Sequence, residues 1–144
     1  MIAIIIVALS IGLVFSILPY LQPPAPRFSI GGPENMLVAG GNSTDPGFNA
    51  LKLNVTTSGR FYVAISVSGG NASFCPMAYQ TYENWAVPYN QYKSPSFPSG
   101  SCVQPLTGQI TQETFSFLPP SFGTWVIVAL NEGPSQITVS FSPA

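Results

Sequence analysis

The chain has 144 residues, 46% hydrophobic and only 6% charged: Arg27, Lys52, Arg60 and Lys93 against Glu34, Asp45, Glu83, Glu113 and Glu132, with no histidine. Ordinary soluble domains carry about 25% charged residues; without histidine there is no imidazole base, no Ser-His or Cys-His pair and no imidazole ligand for a metal. A net charge of −1 and no basic cluster leave nothing to attract a phosphate backbone, so nucleic acid is not an expected partner.

The first element is apolar on every face. From Met1 to Leu18, MIAIIIVALSIGLVFSIL, only Ser10, Gly12 and Ser16 interrupt the apolar run, and no charge precedes Arg27. Read as a helix at about 1.5 Å per residue, residues 1–22 reach roughly the 30 Å of a bilayer core. Such a helix fits a membrane span, a signal peptide or the buried core of an assembly, but not the surface of a globular domain. The basic segment that opens a secretory signal is missing. Pro19 ends or kinks the helix, and Pro23, Pro24 and Pro26 make residues 23–27 a stiff, extended linker.

From Phe28 to Ala144 the period changes to two. Phe28 to Ile30 and Met36 to Ala39 are weak strand candidates. Leu51, Leu53 and Val55 alternate with polar residues, as do Phe61, Val63, Ile65 and Val67. Pro76 to Val87 has Tyr79, Tyr82 and Ala86 at helical spacing and predicts a short helix crossing between two sheets. Pro88 to Pro105 reads as a long surface loop. Gln109 to Phe117, Thr124 to Leu130 and Ile137 to Phe141 complete about seven strands, with Asn131-Glu132-Gly133-Pro134 linking the last two as a hairpin. The fold class expected is α+β: a long N-terminal apolar α-helix (1–22), the linker (23–27) and an all-β, immunoglobulin-like β-sandwich head (28–144).

Few residues carry chemistry. Cys75 and Cys102 read as one disulfide in an exported chain, with two buried free thiols as the alternative. Asn42, Asn54 and Asn71 open N-glycosylation tripeptides, whose glycans would supply the hydration that charge does not. No two carboxylates share a short motif and two cysteines complete no tetrahedral site, so no enzyme activity, metal or cofactor is expected.

An uncharged apolar N-terminal segment, a stiff linker and one β-sandwich head with sequons resemble a mature archaeal type IV pilin. The resemblance is one of architecture over the whole chain, carried by MIAIIIVALSIGLVFSILPYL and the closing GTWVIVALNEGPSQITVSFS. It implies a leader removed by a prepilin peptidase just before Met1, and an extracellular helical filament, a homo-polymer serving adhesion, attachment or motility. It further implies an assembly ATPase and a membrane platform, with the subunit held in the membrane before assembly. Bacterial type IV pilins carry glutamate as the fifth mature residue, whereas this chain has Ile5. Ile5 and Leu9 would pack the filament core, and Ser10, Gly12 and Ser16 would allow close helix approach. Two alternatives stand beside it: a monomeric membrane-anchored extracellular binding domain, and a strand-donor filament in which Phe28 to Ala39 completes a neighbour's sheet.

Overall fold

The computed structural model of the protein describes residues 27, 28, 30, 32–92, 97 and 100–144. Nine strands and one helix follow in order: β1 Arg27–Phe28, β2 Glu34–Val38, β3 Gly47–Val55, β4 Arg60–Ser68, β5 Ala72–Ala78, α1 Tyr79–Tyr92, β6 Leu106–Ile110, β7 Gln112–Phe117, β8 Gly123–Asn131 and β9 Ile137–Pro143. Sheet A has the order β2-β9-β4-β7, all antiparallel, with β1 added parallel to β4. Phe61 of β4 pairs with Phe28 on one edge and Phe117 on the other, so β1 occupies the β9 edge just beyond Pro143. Sheet B has the order β3-β8-β5-β6, also antiparallel.

From β2 onward, every step along the chain passes to the opposite sheet except β5 to β6. Two four-stranded sheets wound in this way form a jelly roll. The expectation of an immunoglobulin-like sandwich is therefore corrected, because that fold sets several sequence neighbours side by side in one sheet. The α+β class is corrected with it: the described residues form two β-sheets and one short helix. The expected helix 1–22, with Ile5, Leu9, Ser10, Gly12 and Ser16, lies outside the described residues. Among those described, no helix is long and apolar enough to cross a membrane, and the expectation of a transmembrane helix is corrected to that extent.

The core explains the pattern of the strands. Phe61, Val63, Ile65 and Val67 of β4 and Ile137, Val139 and Phe141 of β9 face inward across the sandwich, where Phe74, Phe117, Trp125 and Ile127 meet them. Strand β8 is apolar at consecutive positions because both of its faces are covered. Trp125, Ile127 and Ala129 enter the inter-sheet core, while Val126, Val128 and Leu130 lie under α1 with Cys75, Met77 and Trp85. The helix thus joins two strands of sheet B and does not cross between sheets as expected. Its anticipated start, Pro76, is a strand residue opposite Ile127. The Pro76 carbonyl accepts from the Val103 amide at 2.9 Å, so its missing N–H falls on the side away from the β8 ladder.

The jelly roll has two ends. At one, β4 begins, β7 finishes and the chain enters through β1; at the other lie the β2–β3, β4–β5, β6–β7 and β8–β9 connections. We call these the entry end and the far end. Phe28 to Ala39, expected in one alternative to complete a neighbour's sheet, includes β2, which pairs with β9 of its own chain.

Candidate functional site

The far end is laced by backbone and one amide side chain. Asn131, only 1% exposed, donates through Nδ2 to the carbonyls of Ala39 (2.9 Å) and Ser135 (2.8 Å) and accepts from the Gly133 amide through Oδ1 (2.9 Å). The Gly41 amide donates to the Gly133 carbonyl at 2.7 Å. Asn131 to Pro134 is consequently an arch between β8 in sheet B and β9 in sheet A, and the expected closing hairpin is corrected. Close approach demands glycine here: a Cβ on Gly47 would fall on the Ala39 carbonyl.

Beside this arch, on the outer side of sheet B, opens a pocket of about 840 Å³. Its walls bring Asn71, Ser73, Thr107 and Gln109 together with Phe97, Leu130 and Glu132. Ser73 Oγ donates to the Gly108 carbonyl at 3.1 Å, tying β5 to β6 on this rim. Cys102 also lines the pocket, and its disulfide to Cys75, with Cα atoms 5.2 Å apart, closes the α1 connection onto β5. Phe97 stands against Trp85 at 5.6 Å between ring centroids, and Trp85 meets Phe48 at 5.0 Å. The pocket therefore has a stiff floor, neutral amide and hydroxyl groups, one aromatic and one carboxylate. It can hydrogen-bond and stack.

The rest of the covered face is aromatic. Lys52 Nζ sits 3.8 Å from the centre of the Tyr79 ring, a cation–π contact. Burial pushes the Tyr82 phenol above its ordinary value, and neighbouring Tyr79 adds to the effect. The outer face of sheet A differs: Ala64, Ser66, Thr114, Ser140 and Ser142 alternate with the core residues and, with Gln112 and Glu113, line a shallow pocket of small side chains.

The three sequons occupy different settings. Asn42 is exposed at the far end, where its Oδ1 accepts from Thr44 N (2.8 Å), Thr44 Oγ1 (2.7 Å) and Asp45 N (2.9 Å). Asn54 is exposed on β3 opposite Thr124, near the entry end. Asn71 is half-buried in the pocket wall. That Ser43, Asn71 and Glu132 converge on one concavity is not readable from the sequence, since they are 28 to 89 positions apart along it. Among the described residues no three His, Cys, Asp or Glu come together to hold a metal ion.

At the entry end, the β7–β8 connection Leu118-Pro119-Pro120-Ser121-Phe122 exposes Leu118 (51%) and Phe122 (66%). The Trp125 indole N–H donates to the Ser121 carbonyl at 3.0 Å and holds the loop against the sandwich. Sequence reasoning passes over these residues; the available signal is two large apolar side chains inside a Pro-rich turn.

No family model matches the chain, and no curated protein matches it. Solved structures similar to it include a de novo designed double-stranded β-helix (14% identity, 78% of this chain and 97% of that one, TM-score 0.40). Another is PliG of Aeromonas hydrophila, a periplasmic lysozyme inhibitor of g-type lysozyme (12% identity, 82% and 96%, TM-score 0.39). Neither is a pilin, and likenesses at this level assign no function.

Proposed function

We propose that the chain is an exported, non-catalytic surface domain, tethered to the membrane by its apolar segment 1–22 and binding a neutral, hydroxyl-rich ligand in the far-end pocket. One observation carries the reading: the chain enters the jelly roll at one end while the pocket lies on the outer side of sheet B beside the other, so a tether at the entry end leaves the pocket clear of the membrane. The disulfide supports an oxidising setting. The lining supports the ligand class, because amides and hydroxyls beside an aromatic ring suit polyhydroxylated molecules and Glu132 disfavours anions. Full-length chain in lipid vesicles, tested against immobilised neutral polysaccharides, is expected to float with the lipid and retain glycan. Gln109→Ala and Thr107→Ala should lose retention while keeping the wild-type melting temperature. Flotation without any glycan retention by the wild type would overturn the pocket assignment.

A homo-polymeric filament is the second reading, and the small uncharged side chains Ala64, Ser66, Ser140 and Ser142 along the middle of sheet A favour it, since charge repeated at every copy would repel. In that form segment 1–22 packs with its copies, and a prepilin peptidase, assembly ATPase and membrane platform are the partners. One of the two stretches behind the pilin resemblance, the closing hairpin, is an arch, which moves the tethered monomer ahead. Negative-stain microscopy separates the two: fibres containing this chain favour the filament, and Ile5→Lys should abolish them with the head still folded.

A further inference from the structure

We infer that the entry end of the jelly roll is a lipid-contact face, on which the Leu118–Phe122 loop dips into the headgroup region; this rests on the tethered reading above. The first support is the length of chain ahead of the sheets and where it joins them. The apolar run ends by residue 22, and Arg27 is already paired in register with Arg60, so only a few linker residues separate the apolar segment from the sheet end. Four residues, 23–26, bound the separation at about 14 Å even for a fully extended chain.

The second support is what this end displays. Leu118 follows Phe117, the register partner of Phe61, and Phe122 precedes Gly123, the partner of Val55, so the exposed pair lies on the same end as the chain entry. A large aliphatic and an aromatic side chain, held out on a proline-stiffened loop pinned by Trp125, are the groups that settle at a membrane interface.

The third is charge. Arg27 and Arg60 occupy the first rung of β4; Glu34, which opens β2 and lines a small pocket with Ile30, Asn54 and Phe61, is the carboxylate at this end, and Glu113 is placed further along at the Ile65 rung. Asp45 and Glu132 belong to the far end, and Glu83 is carried by α1 on the outer side of sheet B. Two cations against one carboxylate leave this end of sheet A with a formal charge of the sign that suits anionic headgroups.

The test uses full-length chain in phosphatidylcholine–phosphatidylglycerol vesicles. With Cys75 and Cys102 oxidised, a single added cysteine can carry an environment-sensitive fluorophore at Ser121→Cys (entry end) or Ser135→Cys (far end). Spin-labelled lipid is expected to quench the label at 121 several-fold more than at 135, and adding Leu118→Ser and Phe122→Ser should remove the difference with near-UV dichroism unchanged. Equal, weak quenching at both sites in chain that floats with the vesicles overturns the inference and leaves the tether intact. Failure to float overturns both. Disulfide-linked dimers of the unlabelled Ser121→Cys variant, without lipid quenching of the labelled one, would show that a second copy, not lipid, covers this end, and would overturn it too.

Discussion

The two ends of the jelly roll are built by opposite means. The far end is polar and tied: Asn131 is buried with three hydrogen bonds, two arches are laced through Gly41 and Gly133, and a disulfide holds Cys102 in the lining of the adjoining pocket. The entry end is apolar and open, with Leu118 and Phe122 held out on a loop pinned by one indole hydrogen bond. Polar lacing on one end and exposed apolar side chains on the other are the contrast on which the proposed separation of recognition from attachment rests.

The largest effect should come from the disulfide. Cys75→Ser with Cys102→Ser frees a loop with a sequence separation of 27, and the chain-entropy model gives a loss of about 3 to 4 kcal/mol. Calorimetry should show a lower melting temperature, and glycan retention should fall because position 102 lines the pocket. Asn131→Ala comes next. It strands the carbonyls of Ala39 and Ser135 and the Gly133 amide at a buried position, a cost of about 2 to 3 kcal/mol by denaturant titration. Asn131→Asp should not rescue it, since a carboxylate cannot donate to two carbonyls.

The entry end should respond less. Trp125→Phe keeps the buried ring but removes the hydrogen bond to Ser121, for about 1 kcal/mol, and should speed hydrogen exchange in residues 118–122 while leaving the far end unchanged. If exchange at the far end rises equally, the two ends are not independent. The smallest effect is alkaline. Tyr82 has a folded pKa raised above its unfolded value, so the neutral phenol binds its proton more tightly in the folded state. That contribution is intact below about pH 10 and stability is lost as pH rises through the interval above it. Tyr82→Phe should flatten the alkaline limb of a melting-temperature profile and leave the neutral region nearly unmoved.

Period-two patterning makes individual strands legible, and with them the inward faces of β4 and β9; the burial of β8 on both faces emerges only from the structure. It does not say which strands pair. Asn131-Glu132-Gly133-Pro134 has the composition of a hairpin turn, but its geometry is decided by a bond from Asn131 to Ala39, 92 residues away in sequence. The run Gln109 to Phe117 reads as one strand, yet it breaks at Thr111, whose carbonyl accepts from Val67, and its halves enter different sheets. Strand β5 is hidden by Pro76, which suits either a first helical turn or a strand position facing away from the ladder. The pairing of Cys75 with Cys102 is readable because the chain has no other cysteine. The pocket is not, because its walls are assembled by the winding of the jelly roll.

The central claim is that the entry end rests on lipid and the pocket faces away from it. Neutron reflectometry on full-length chain in a supported bilayer measures this directly. The account predicts a protein layer in contact with the headgroups, with no water layer between. A hydrated gap separating the head from the bilayer would contradict it.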